Sequence, residues 1–99
     1  MDGTTEMGMK WAGDLDFLGY NKDGHSMLLS ASPTSEGMKK ALSPMEAVLC
    51  ALMGCTGMDV VTILSRKGIA VESLEMRIRA TRSKHHPKVY ESIELEYII

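Results

Sequence analysis

From Met7 to Phe17 the apolar residues stand at odd numbers, Met7, Met9, Trp11, Leu15 and Phe17, with Lys10, Asp14 and Asp16 at even ones. A period of two is that of a strand with one buried face. Asn21-Lys22-Asp23-Gly24 supplies a turn, and Ser26 to Ala31 returns as a second strand, so the pattern predicts a hairpin. Residues 32–42, with Pro33, Ser35, Gly37 and two lysines, read as an exposed loop.

At Ser43-Pro44-Met45-Glu46 the period changes. Ser43 is a capping residue, Pro44 suits the first helical position, and Glu46 stands where a capping-box carboxylate reaches back. From Ala47 to Leu64 the residues are apolar or small on nearly every side, which predicts a buried helix rather than one laid on a surface. Gly54 and Gly57 weaken such a helix by up to ~1 kcal/mol each relative to Ala, and close approach of another backbone would explain them. Gly68, after Arg66 and Lys67, is a fitting stop.

Beyond the helix the period returns to two. Leu74, Met76, Ile78 and Ala80 alternate with Glu75, Arg77, Arg79 and Thr81. After the turn-like Ser83-Lys84-His85-His86-Pro87, the residues Val89, Ile93, Leu95 and Tyr97 alternate with Ser92, Glu94 and Glu96. One polar face is basic and the other acidic, which favours pairing across a hairpin. The predicted class is α+β in the order ββαββ, an antiparallel sheet packed on one long helix, as a single domain over residues 1–99. The chain stops at Tyr97-Ile98-Ile99, inside a strand pattern. Such an end predicts either further chain beyond Ile99 or burial of this end against another chain.

Composition narrows the functional classes. A formal charge of −2 gives no clustered excess of Lys and Arg for nucleic acid. No window reaches the roughly 18 apolar residues without charge that suggest a membrane span, and the polar, acidic opening is unlike a secretory signal. A cytoplasmic protein with neither nucleic-acid nor membrane partners is expected. Cys50 and Cys55 lie five apart in one predicted helix. That spacing gives a rise of about 7.5 Å and a turn of about 140°, beyond the reach of a disulfide. Two free thiols are expected, as in a reducing compartment.

Cys55 is the first candidate for chemistry. It stands in Gly54-Cys55-Thr56-Gly57-Met58-Asp59, and Cys55, Asp59, Thr62 and Arg66 share one helical face as a thin polar stripe. The plainer reading is a small core residue, since free cysteine is among the most buried types. Cys50, with no polar neighbour, reads as core. Glu46 lies nine residues before Cys55, about 180° away around the axis, and reads as a cap rather than as a catalytic carboxylate. His85 and His86 read as solvated turn residues, and His25 carries no specific signal. No metal site and no cofactor are expected.

Ser43-Pro44-Met45-Glu46, Gly54-Cys55-Thr56-Gly57-Met58-Asp59-Val60-Val61 and His86-Pro87-Lys88-Val89-Tyr90 together resemble the OsmC/Ohr family, in its OsmC-like branch. The proline eleven residues before the helix cysteine is the most specific element. The resemblance implies an intertwined homodimer with central helices, the chain being the front part of the family's domain without its C-terminal helix and strand. It also implies thiol-based reduction of organic hydroperoxides, a peroxiredoxin-like antioxidant chemistry in which a dithiol regenerates the enzyme. By position, Cys55 matches the peroxidatic cysteine. Three departures stand beside this. Met45 occupies the place where the family's peroxidases carry a glutamate, the first arginine here is Arg66, and the resolving cysteine lies beyond the matched region. These departures motivate a second reading, a non-catalytic OsmC-like dimer that binds a small apolar ligand.

Overall fold

Two strands, not one, share the alternation from Met7 to Phe17. In the computed structural model, which describes residues 3–31, 40–85 and 89–99, β1 covers Met7–Trp11, β2 Asp16–Asn21 and β3 Ser26–Ser30. β1 and β2 pair antiparallel with Met7 opposite Asn21 and Trp11 opposite Phe17. Odd residues face odd residues in this register, so one face stays odd across the turn and the period shows no break. The turn is made by Gly13 (φ 96°) and Asp14 (φ 44°). Left-handed φ comes freely to Gly, and Asp is among the few other residues that adopt it readily. The Ala12 N–H donates to the Asp16 carbonyl and the Asp16 N–H to the Gly13 carbonyl, both at 2.8 Å. The order ββαββ is thereby corrected to βββαββ, while the α+β class and the antiparallel pairing stand.

The chain divides into two compact units, Met1–Val48 and Leu49–Ile99. The first holds the sheet β1-β2-β3. Its second turn is where the sequence puts it. The Asn21 side-chain carbonyl accepts from the Asp23 N–H at 3.1 Å and from the His25 N–H at 2.9 Å, and Gly24 adopts φ 91°. Gly8 stands opposite Tyr20, and any side chain there would collide with the Tyr20 ring that lies across it. The same ring carries the Lys10 ammonium 5.7 Å from its centroid.

The even face of this sheet carries a polar knot. Asp16 and Ser30 are register partners and are 8% and 1% exposed, the two buried polar residues among those described. The Ser30 hydroxyl donates to Asp16 Oδ1 and the Lys40 ammonium donates to Oδ2 at 3.2 Å, with Asp14 3.7 Å from Lys40. The Ser30 N–H also donates to the Leu42 carbonyl at 2.9 Å, and Leu42 bridges Leu29 in parallel. The knot therefore pins residues 40–42, just ahead of the helix, to β3. Residues 32–39 of the expected loop lie outside the described residues.

The hydrogen bond to Asp16, then the Asp16 charge, raises the Lys40 pKa above its ordinary 10.5; burial opposes them, and Asp14 adds a lesser push in the same direction as Asp16. A raised lysine pKa adds stability that is complete below the unfolded value and fades as pH climbs through the folded one. The stability gap between the parent and Lys40→Met is therefore expected to stay constant from neutral pH upward and to close only above 10.5. Urea melts across that range would show this, and a gap closing near neutral pH would contradict it.

The second unit pairs β4 (Glu75–Arg82) with β5 (Tyr90–Ile98). Arg77 faces Glu96 and Arg79 faces Glu94, while Met76, Ile78 and Ala80 face Tyr97, Leu95 and Ile93. This is the segregation of basic, acidic and apolar positions read from the sequence. In the connecting turn the Ser83 N–H donates to the Val89 carbonyl at 2.8 Å. His86, Pro87 and Lys88 lie outside the described residues.

Candidate functional site: the cysteine helix

Helix α1 runs over Pro44–Arg66, and both of its ends form as local rules require. At the start, the Glu46 N–H donates to Ser43 Oγ at 3.2 Å and the Ser43 N–H donates to Glu46 Oε1 at 2.9 Å. That reciprocal pair is the capping box, so Glu46 works as a cap, facing away from Cys55. At the end, the Ile69 N–H donates to the Leu64 carbonyl at 2.9 Å and the Gly68 N–H to the Ser65 carbonyl at 3.0 Å. With Gly68 at φ 77°, this is a Schellman stop.

Between the ends, burial departs from expectation. No residue of α1 is buried, and no hydrophobic residue is buried among those described. Val48, Met58, Val61 and Ile63 are 54%, 73%, 43% and 52% exposed. The sequence requires an apolar environment around the rod, and one copy of these residues does not supply it.

One stripe of α1 meets β4. Cys50, Met53, Gly54, Gly57, Val61 and Met76 line an open apolar trough of about 630 Å³. Gly57 lets a neighbour in, but that neighbour is a side chain. The Met76 sulfur lies 3.0 Å from where a Gly57 Cβ would stand, while nothing comes within 4 Å of the same point at Gly54. The expected backbone approach is corrected accordingly. Cys50, expected in a core, is exposed along this trough.

Cys55 lies about 140° around the axis from Cys50, off the trough. It is exposed, and both cysteines are free thiols. The polar stripe of Cys55, Asp59, Thr62 and Arg66 is exposed along its length. No ion pair joins Asp59 to Arg66 among the described residues. Arg66 stands eleven residues beyond Cys55, a rise of roughly 16 Å. Of the charged groups on this face, Asp59 therefore stands one turn from Cys55 and Arg66 about three turns away. His85 is exposed, its N–H held by Ser83 Oγ at 3.3 Å. The trough was missed in the sequence, although its signal is there in the small and thioether residues at spacings of three and four: Cys50, Met53, Gly54, Gly57, Met58 and Val61.

Helix α1 is long and apolar enough, by length and composition alone, to cross a membrane, with a mean hydropathy of 2.0. Between Ala47 and Leu64 its one charged residue is Asp59, which is why no wholly uncharged window of that length is found. The core helix of an α+β fold passes the same test of length and composition.

Residues 37–99, which carry the helix and the β4–β5 hairpin, match the family model described as OsmC-like protein. The chain belongs to the OsmC-like protein family. It is 35% identical over 91 residues to Protein YhfA of Escherichia coli (strain K12), covering 92% of this chain and 65% of that protein. Protein YhfA of Shigella flexneri gives the same figures. A hypothetical protein from Aquifex aeolicus VF5 superposes with a TM-score of 0.80 at 29% identity, over 95% of this chain and 64% of that one. The OsmC like protein from Mycoplasma pneumoniae gives a TM-score of 0.80 over 98% of this chain, at 20% identity, and so shares the fold. The chain thus spans 65% of the length of its Escherichia coli relative.

Proposed function

We propose that the chain is the cysteine-bearing part of a cytoplasmic OsmC-like homodimer that reduces organic hydroperoxides through Cys55. The observation that carries this reading is an exposed thiol halfway along an apolar helix, within a family whose membership fits a stress-response protein. The thiolate attacks the terminal oxygen of R–O–O–H. An S–O bond forms, the O–O bond breaks, and the alkoxide takes a proton and leaves as R–OH. The resulting sulfenic acid condenses with one thiol of a dithiol reductant, releasing water. The second thiol of the reductant then displaces Cys55, returning it as a thiol and leaving the reductant as a disulfide.

Turnover tests this directly. The full-length protein, given cumene hydroperoxide and a dithiol, is expected to consume peroxide and release cumyl alcohol above the uncatalysed rate. Absence of turnover would remove the peroxidase and leave the second reading, an apolar ligand held in the trough beside β4.

The homodimer rests on apolar surface. A stable monomer rarely exposes contiguous apolar patches beyond a few hundred Å², whereas α1 here is exposed from Val48 to Ile63. A second copy laid along that helix would cover it. Sedimentation at micromolar concentration is expected to give a dimer, and a compact monomer would contradict the proposal.

A further inference from the structure

We infer that Asp59 sets the substrate class of Cys55, on the peroxidase reading of that thiol: uncharged or cationic organic hydroperoxides are taken, and those with a carboxylate close to the O–O bond are turned away. Asp59 follows Cys55 by four residues within α1, so the two side chains share a face with their Cβ atoms about 6 Å apart. That spacing belongs to the helix itself and is the same whether or not a second copy lies alongside. No ion pair to Asp59 occurs among the described residues. Arg66, the cation of the same stripe, stands seven residues further on, a rise of about 10.5 Å. The helix therefore sets a negative charge beside the sulfur and places no positive one there to offset it.

The same charge limits how this flank of the rod can be covered. An unpaired carboxylate enters an apolar contact only at a large desolvation cost, so the flank of Cys55, Asp59, Thr62 and Arg66 keeps water or a polar passage beside it. A substrate then reaches the sulfur past Asp59. Ala51, Leu52 and Met58 lie three or four residues from Cys55 and so border it on the helix surface, where they suit the organic part of a peroxide. A second negative charge brought to the sulfur is opposed by the carboxylate, and more strongly as water is displaced. At about 7 Å the repulsion between unit charges slows a reaction about threefold in bulk water and about fiftyfold at the effective dielectric of a protein surface.

The test uses the full-length protein with Cys50→Ser and follows modification of Cys55 by mass spectrometry of the digest. Three methanethiosulfonates of similar size, one with a trimethylammonium, one uncharged and one with a sulfonate, are timed on Cys55 and on a short unstructured thiol peptide. The peptide removes their intrinsic differences. Relative to it, the anionic reagent is expected to trail the uncharged one by about threefold to fiftyfold, and the cationic one to lead. Added salt should narrow the spread, Asp59→Asn should level the three, and Asp59→Glu should keep their order. Cumene hydroperoxide and its para-carboxylate should then differ in turnover in the same sense, with the difference lost in Asp59→Asn. An order unchanged in Asp59→Asn overturns the inference. So does an equal slowing of all three reagents in that variant, as a purely structural role would give. A lead for the anionic reagent, as a cation from a second copy would produce, or a Cys55 that none of the three reaches, overturns it too. An order that follows Asp59 without turnover of either peroxide would retire the peroxidase and leave charge selection at the thiol standing.

Discussion

Cys55→Ser is expected to lose hydroperoxide turnover by roughly a thousandfold or more, the order seen when a covalent nucleophile is removed. The anion is the reactive species, and a thiol supplies some of it at neutral pH whereas a serine hydroxyl supplies almost none. Cys50→Ser is expected to keep most of the turnover, because Cys50 lies on the trough stripe about 140° around the helix from Cys55. Dimedone added during turnover should label Cys55 alone, which mass spectrometry of the digested protein reads directly. Equal turnover by Cys55→Ser and the parent, or label at Cys50, would remove Cys55 from the chemistry. The serine is close to isosteric, so a drop in rate would not be a folding defect if the melting curve is unchanged.

Asp16→Ala carries the largest expected effect on stability, about 2 kcal/mol, the scale of a lost hydrogen bond to a charged group. Asp16 receives both the Ser30 hydroxyl and the Lys40 ammonium. Ser30 is 1% exposed, so its hydroxyl cannot turn to water when the carboxylate goes. The Lys40 side chain is 38% exposed, so its ammonium can rehydrate, and its share of the loss is small. Asp16→Asn, which keeps an acceptor for Ser30, should recover part of the difference. Urea unfolding at equal protein concentration is the proper comparison, since assembly makes apparent stability depend on concentration. A loss for Lys40→Met as large as that for Asp16→Ala would show that the ion pair, and not the buried hydroxyl, is the main contribution.

Features that depend on near neighbours were legible before the structure. Ser43 and Glu46 are three residues apart and find each other through helical geometry alone. Gly68 stops the helix because only its own φ has to change sign. The pairing of Arg77 and Arg79 with Glu96 and Glu94 follows from alternation on two strands joined by a short turn. The first strand was misread for an equally physical reason. A hairpin whose partners share parity keeps its pattern through the turn, and Gly13-Asp14 was the one local sign that the chain reverses there.

The sequence by itself determined the α+β class, the cysteine helix with its two stops, the second hairpin and the family, because each rests on short-range periodicity or on a contiguous motif. Tertiary structure alone decided the meeting of Asp16, Ser30 and Lys40, which are fourteen and twenty-four residues apart and carry no motif. It also decided that Cys50 lines a trough which Cys55 does not, and that α1 has no buried residue. An apolar side chain records that it should leave water, but its chemistry does not say whether its own chain or another will cover it. Only the positions of the surrounding atoms carry that information.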